Sequence, residues 1–263
     1  MNRFANSFRL QLKVISSLIF RELRTRSGGL KLGIFAVLIE PLLVVAFFLL
    51  IFGIIKQHAA VGGLNTILFL LVGVINATLA IQSSIRSIRA LDANSALFFY
   101  RPVKPIDTAI ARTLLEAMIY ATCFLIAWGF TCIYLDNLIL DDPLALILMY
   151  LLNMLLSLSL SILSMMATRI LPWSKSIIPA LSRPLYLSAG VFFSAAYIPA
   201  NWRPFVIWNP ILHITEFSRH ALYAGYPIAD VSASYAIVTT LVLFGLSLAL
   251  YSSASAAVSQ PEG

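Results

Sequence analysis

The chain has 263 residues, of which 60% are hydrophobic and 11% charged, and a net charge of +7. Soluble domains carry about 45–50% apolar residues, so an ordinary soluble globule is excluded and lipid must be part of the solvent. The basic excess does not read as nucleic-acid binding, which would need the charge gathered on a soluble fold; here it is scattered between apolar blocks.

Residues 1–31 alternate charge with apolar residues and hold no short apolar run ending in small residues, so a cleaved signal peptide is not expected. Between residues 4 and 23, Phe4, Phe8, Leu12, Ile15, Leu18, Ile19 and Leu23 fall on one arc of a helical wheel, and Arg9, Lys13, Ser17, Arg21 and Arg24 fall off it. This predicts an amphipathic interfacial helix. Gln11 and Glu22 intrude on the apolar arc, so the helix should rest against other helices or headgroups without inserting deeply. A plain anchor and a direct part in the mechanism are both open readings.

A hydrocarbon layer of about 30 Å takes roughly 20 apolar residues in helical form. Blocks of that length occupy 33–55, 64–82, 108–134, 144–168, 177–198 and 234–253, which predicts an all-α integral membrane protein with six crossings in a single domain spanning 1–263. Pro179, Arg183 and Pro184 interrupt the start of the fifth block, so a kink or a short broken helix is expected there. Cys123 and Cys132 lie nine residues apart in the third block, on opposite helix faces and about 13 Å apart in height, which rules out a disulfide between them.

Six crossings place alternate connections on opposite sides, and Lys and Arg decide which side is inside. Arg3, Arg9, Lys13, Arg21, Arg24, Arg26 and Lys31 precede the first block. Arg86, Arg89, Arg101, Lys104 and Arg112 surround the second connection, and Arg169, Lys175 and Arg183 the fourth. Only Lys56, Arg203 and Arg219 fall on the other face, whose middle loop is acidic through Asp136, Asp141 and Asp142. The basic face is therefore expected to be cytoplasmic, with both termini on it.

Two connections are more than linkers. Residues 83–107 are too polar to span, and Phe98, Phe99 and Tyr100 form an aromatic cluster beside Arg101 and Lys104, the type of anchor that binding interfaces favour. Docking of a partner and seating in the headgroup belt are the two readings for this cluster. Residues 199–230 are too amphipathic for a span and too apolar for a free loop. Two short re-entrant or interfacial helices, divided near Asn209 and Pro210, would satisfy that backbone and bring Trp202, Trp208 and Tyr223 to the outer boundary. Glu216, Arg219 and His220 there share one helix face, either as a self-satisfied ion pair or as part of an outer mouth.

Glu40 and Glu116 are carboxylates within apolar blocks. Both fall in the first turns on the basic side, so a structural partner such as Arg112, one turn before Glu116, is expected in preference to a proton relay. Enzymatic signatures are missing: the sequence has no GxxxxGK[ST], HExxH, CxxC pair or GxSxG, and His58, His213 and His220 lack the further ligands a metal site needs.

Three runs carry a family resemblance: FRELRTRSGGLKLGIFAVLIEPLL at 20–43, ALFFYRPVKPIDTAIARTLLEA at 96–117 and WNPILHITEFSRHALYAGY at 208–226. They resemble the membrane subunit of capsular polysaccharide exporters, the type-2 ABC transporter permeases, along nearly the whole chain. The YRPVKPID stretch is the most specific part, and the RExxTR, LG and EP pattern is shared with lipopolysaccharide and teichoic-acid exporters. Ser27 and Phe35 depart from it, where an aromatic and a tryptophan are commoner.

The resemblance implies a homodimer in the bacterial inner membrane, with two copies of a cytoplasmic ATPase subunit, a periplasmic adaptor, an outer-membrane channel and a lipid-linked polysaccharide as partners. ATP and Mg would bind the ATPase, and this chain would hold no cofactor or metal and catalyse nothing. It also implies a coupling helix over 84–96, which makes Ser84, Ile85, Arg86, Ile88, Arg89, Leu91, Asp92, Phe98, Phe99 and Tyr100 candidates for ATPase docking. Arg21, Arg24, Arg26, Lys31, Arg86, Arg89, Arg101 and Lys104 form a basic rim suited to a polyanion, and Tyr186, Phe192, Phe193 and Tyr197 could stack on sugar rings. Trp202, Trp208, Glu216, Arg219 and His220 are the outer-mouth candidates. Rival readings are export of a lipopolysaccharide O-chain or a teichoic acid, a polytopic membrane transferase, which would need a clustered Asp, His or Glu pair at one interface, and an ion-driven carrier.

Overall fold

The computed structural model describes residues 2–26, 33–55, 62–99 and 102–258, and every regular element among them is helical. In chain order these are α1 (Asn2–Arg26), α2 (Gly33–Ile55), α3 (Thr66–Ser87), and α4 (Ala90–Asn94), which runs into a 3-10 turn (Ser95–Phe99). There follow α5 (Pro105–Leu135), α6 (Pro143–Ile170), α7 (Ser174–Ser188), a second 3-10 turn (Ala195–Tyr197), α8 (Pro204–Ile207), α9 (Pro210–Leu222) and α10 (Ala233–Val258). By length and apolarity α3, α5, α6 and α10 can each cross a bilayer. Helix α2 is equally apolar in sequence and carries Pro41 inside it.

Local chemistry sets where these helices start. Four of them, α5, α6, α8 and α9, open on proline, whose missing N–H is no loss in a first turn. Before α5 the Asp107 carboxylate accepts the Lys104 backbone N–H at 2.8 Å. At α6 Asp142 accepts from the Ala145 N–H at 2.9 Å, and at α9 the Asn209 side chain accepts from Ile211 N–H at 3.0 Å. The sequence strings KPID, DDPL and WNPI are thus helix-start signals.

Helix α3 is the axis of the bundle. It is apolar all round, which suits a helix enclosed by others, and residues from Leu68 to Ala77 are continuously buried. Helix α6 packs on it through small and polar side chains, as helices do in lipid, where close approach and interhelical hydrogen bonds replace the hydrophobic drive. Asn153 donates to the Asn76 backbone and side-chain oxygens, both at 3.0 Å, and Ser84 Oγ meets Ser164 Oγ at 2.6 Å. Thr113 bonds Ser161 at 2.9 Å, bringing α5 into the same seam.

Two elements differ from the sequence expectation. Helix α3 runs on to Ser87, so Ser84, Ile85 and Arg86 belong to its last turns and not to a separate helix over 84–96; the helix that follows is the short α4. The break at Ile88–Arg89 is held from outside, because Thr168 Oγ donates to the Ile88 carbonyl at 3.1 Å and Arg112 donates to the Arg86 carbonyl. Within the fifth block, helix ends at Ser188 and Gly190 takes φ +73°, after which residues 191–194 run without helix although Val191 and Ser194 are buried. Such buried backbone survives only where protein groups satisfy it; those groups come from α9.

A side chain at Gly190 would need a left-handed residue, costing about 1–2 kcal/mol, and its Cβ would stand 2.4 Å from Leu212 Cδ1. Gly190→Ala should therefore lower the Tm of the detergent-solubilised protein. Gly129→Ala, whose Cβ would meet nothing within 4 Å, should leave the Tm unchanged or slightly raised.

Candidate functional site

Arg219, fully buried on α9, sits at one end of the bundle. Its Nη1 pairs with Glu216 Oε1 at 2.8 Å, one helical turn earlier. The remaining donors go to carbonyls: Phe69 of α3 at 3.0 Å, Gly190 at 2.7 Å, Val191 at 3.4 Å and Phe193 at 3.4 Å. The guanidinium carbon lies 3.4 Å from the centre of the Phe69 ring. Glu216 is satisfied in turn by Ser194 Oγ at 3.1 Å and by Tyr226 Oη at 3.1 Å and 3.2 Å to its two oxygens. A five-donor planar fork matches this ring of acceptors, and lysine, with one compact ammonium, does not.

The opposite, basic end holds a second charge centre. Glu116 on α5 is 1% exposed and receives Arg26 of α1 at 2.5 Å and Arg86 of α3 at 2.9 Å. Arg112 does not pair with Glu116, as the sequence suggested; it reaches Glu22 of α1 at 3.3 Å, because it points across to α1 and not along its own helix. Farther along α1, Arg21 donates to Asn94 Oδ1 at 2.7 Å and to the Ala93 carbonyl at 3.1 Å, and Gln11 donates to Asp107. Gln11 and Glu22, the polar intruders on the apolar arc, are thus where α1 holds the bundle. Leu12 stays half exposed at 51%.

The candidates from sequence separate into engaged and open groups. Arg26 and Arg86 are committed to Glu116, whereas Arg89 and Lys104 are exposed; Arg24 is exposed too and has a partner of its own. Within the docking set Ile88 is buried, Ser84 is bonded to Ser164, and Ile85, Leu91 and Phe98 are half-buried. Phe99 is 83% exposed, and Asp92 is exposed in an ion pair with Lys175 of α7 at 2.8 Å. Tyr100, Arg101 and Lys31 lie outside the described residues, as does the side chain of Glu40.

On α7 and the strip after it, Tyr186 and Phe192 are half-buried against each other with ring centres 6.1 Å apart, so they face the bundle. Phe193 is half-buried and lends its carbonyl to Arg219, and Tyr197 is exposed. Of the outer-mouth set, Trp202 and Trp208 are exposed, Glu216 and Arg219 are internal, and His220 Nδ1 bonds the Tyr226 carbonyl at 2.9 Å. Sequence reasoning missed Tyr226 and Ser194 as partners of Glu216, and nothing local marks them. Asn94 and Asp107 were also missed, although the capping string KPID pointed to Asp107. With Glu116 and Glu216 both held by arginines, neither carboxylate is poised for acid–base chemistry, and the charges act as fasteners between helices.

A bundle whose described elements are all helical, several of them of membrane length, with polar helix seams and fastened internal charges, is that of an integral membrane protein. Residues 13–223 match the family model described as ABC-2 type transporter, and the chain belongs to that family. It is 35% identical over 246 residues to the polysialic acid transport protein KpsM of Escherichia coli, covering 94% of this chain and 95% of that one. It is 28% identical over 251 residues to the capsule polysaccharide export inner-membrane protein CtrC of Neisseria meningitidis, and 27% identical over 258 residues to BexB of Haemophilus influenzae, which carries the same description. Each of these two alignments covers 94% of this chain and 93% of the relative.

Breaking a buried pair by removing one partner costs about 3–5 kcal/mol, because the other charge is left uncompensated. Glu216→Gln should therefore lower the Tm in detergent strongly. Glu116→Gln should loosen α1, read as faster limited proteolysis within residues 2–26, with a smaller fall in Tm because Arg86 is 28% exposed and can rehydrate.

Proposed function

We propose that the chain is the permease subunit of an ATP-driven exporter that moves a lipid-linked, anionic capsular polysaccharide across the bacterial inner membrane. The observation that carries this reading is the alignment along 94% of the chain with relatives named for polysialic acid transport and capsule polysaccharide export. On this reading α2 and α7 join α3, α5, α6 and α10 as six crossings, and the basic end with both termini is cytoplasmic. Two copies enclose the path. ATP and Mg are bound by two copies of a separate subunit, and a periplasmic adaptor and an outer-membrane channel continue the route.

The ATPase would dock where Arg89, Asp92 and Phe99 are exposed, on α4 and the turn after it. Movement there has two ways into the membrane. One runs through the Ile88 break directly into α3, and the other through Arg21 into α1 and then through Arg26 to Glu116 on α5. Because direct side-chain bonds join α4 to α1 and α1 to α5, a shift of α4 is passed on to the helix ends.

Expression of the chain in a strain lacking its own permease should restore surface polysaccharide only when an ATPase subunit is present; export without one would overturn the reading. Phe99→Ala should cut copurification of the ATPase severalfold while leaving the amount of permease in the membrane unchanged. Charge reversal of Arg101 and Lys104 together should abolish export, and the retained or lost ATPase copurification then assigns the pair to substrate or to docking.

A further inference from the structure

Of the proposed crossings, α7 carries a charge, Arg183, well past its first turn. Its first turn is anchored at the basic end by the ion pair of Lys175 with Asp92, at 2.8 Å. Its far end packs well up α3, where a Cβ on Gly73 would come within 2.9 Å of the Val191 Cα. Arg183 lies nine residues into this 15-residue helix, about 13 Å along it at ~1.5 Å per residue, which on the six-crossing reading puts it at the depth of hydrocarbon. It is exposed and, among the described residues, makes no hydrogen bond or ion pair. An arginine at that depth is expelled from lipid and faces water or a counter-charge. The buried carboxylates Glu116 and Glu216 are already taken by other arginines.

The surface of α7 divides accordingly. Ile178, Ser182, Leu185 and Tyr186 are half-buried against the bundle. On the exposed side, Ser176, Ala180, Arg183 and Leu187 fall within about 60° of one another, and Ile177, Leu181 and Pro184 form a separate, wholly apolar flank at ~100° per residue.

Building on the export reading above, we infer that the flank of Ser176, Ala180 and Arg183 faces water inside the export path, and that Arg183 binds an anionic group of the passing chain, a sugar carboxylate or a phosphate. The Ile177, Leu181 and Pro184 flank meets lipid. The planar guanidinium pairs two donors with either anion. One isolated charge on a rigid helix offers a weak, repeated hold, which suits a polymer that must keep moving.

The test uses the full permease with its ATPase subunits in lipid vesicles, in a Cys123→Ala, Cys132→Ser background. Arg183→Cys and Ala180→Cys should react with a charged, membrane-impermeant thiosulfonate at least tenfold faster than Leu181→Cys. With Arg183 in place, polygalacturonate oligomers should slow the reaction at Ala180→Cys if carboxylate is bound, inorganic polyphosphate should do so if phosphate is, neutral dextran should have no effect, and adding Arg183→Leu should remove the protection. In cells Arg183→Lys should retain export and Arg183→Leu should reduce it at least tenfold at equal permease levels. Equal labelling at 183 and 181, protection by neither polyanion, normal export by Arg183→Leu, or a ready disulfide between two copies through the introduced cysteine would each overturn the inference. Labelling and protection do not depend on capsule export. A wild-type chain that exports no polysaccharide defeats the functional reading, while the accessibility results still decide the role of Arg183.

Discussion

The bundle depends on one arginine. Helix α7 ends at Ser188, and the buried residues after it leave carbonyls that no helix satisfies. Arg219 receives three of those carbonyls, at Gly190, Val191 and Phe193, together with Phe69 from the central helix. Its charge is balanced by Glu216, which Ser194 and Tyr226 hold in place. One side chain thus closes the accounts of a broken helix, orients α9 against α3, and fixes the path between them. Gly73 follows from the same constraint, since a Cβ there would stand 2.7 Å from Arg219 Nη2, and Gly190 offers its carbonyl to the same guanidinium from a left-handed conformation.

At the basic end the logic is repeated with a different purpose. Glu116 gathers arginines from α1 and α3 onto α5, and Arg112 returns the favour to Glu22. The centre at Arg219 is sealed, whereas this one is partly hydrated at Arg86 and lies next to the exposed Arg89 and Phe99. A sealed fastener resists motion and a partly hydrated one can be reset. The bundle therefore has a rigid end and an adjustable end, and the adjustable end is the one that the proposed ATPase would grip.

Much of this was legible in the chain itself. Apolar blocks of membrane length foretold an all-helical membrane protein, because helix is the cheapest way to hide a backbone from lipid. Polar residues before proline marked helix starts that the structure has at Pro105, Pro143 and Pro210. The prolines pointed to an interruption at the start of the fifth block, but Pro179 and Pro184 lie inside α7, which ends later, at Ser188; Gln11 and Glu22 showed by intruding on an apolar arc that α1 has a protein neighbour. The site was less legible. Arg26, Arg86 and Arg112 read alike as basic-side charges, and only their directions in space separate those bound to Glu116 and Glu22 from the ones left at the surface.

The sequence by itself determined which segments are helical, where many begin, and which end of the bundle is basic, since these follow from hydropathy, capping chemistry and charge within a few neighbouring residues. It did not determine which charge meets which. Glu116 and Arg26 are 90 residues apart, Arg219 and Phe69 150 apart, and no local pattern encodes such a meeting. Only the packing of α1, α3, α5 and α9 decided it, because a buried charge takes whatever partner the tertiary structure brings within a few ångströms and is costly without one.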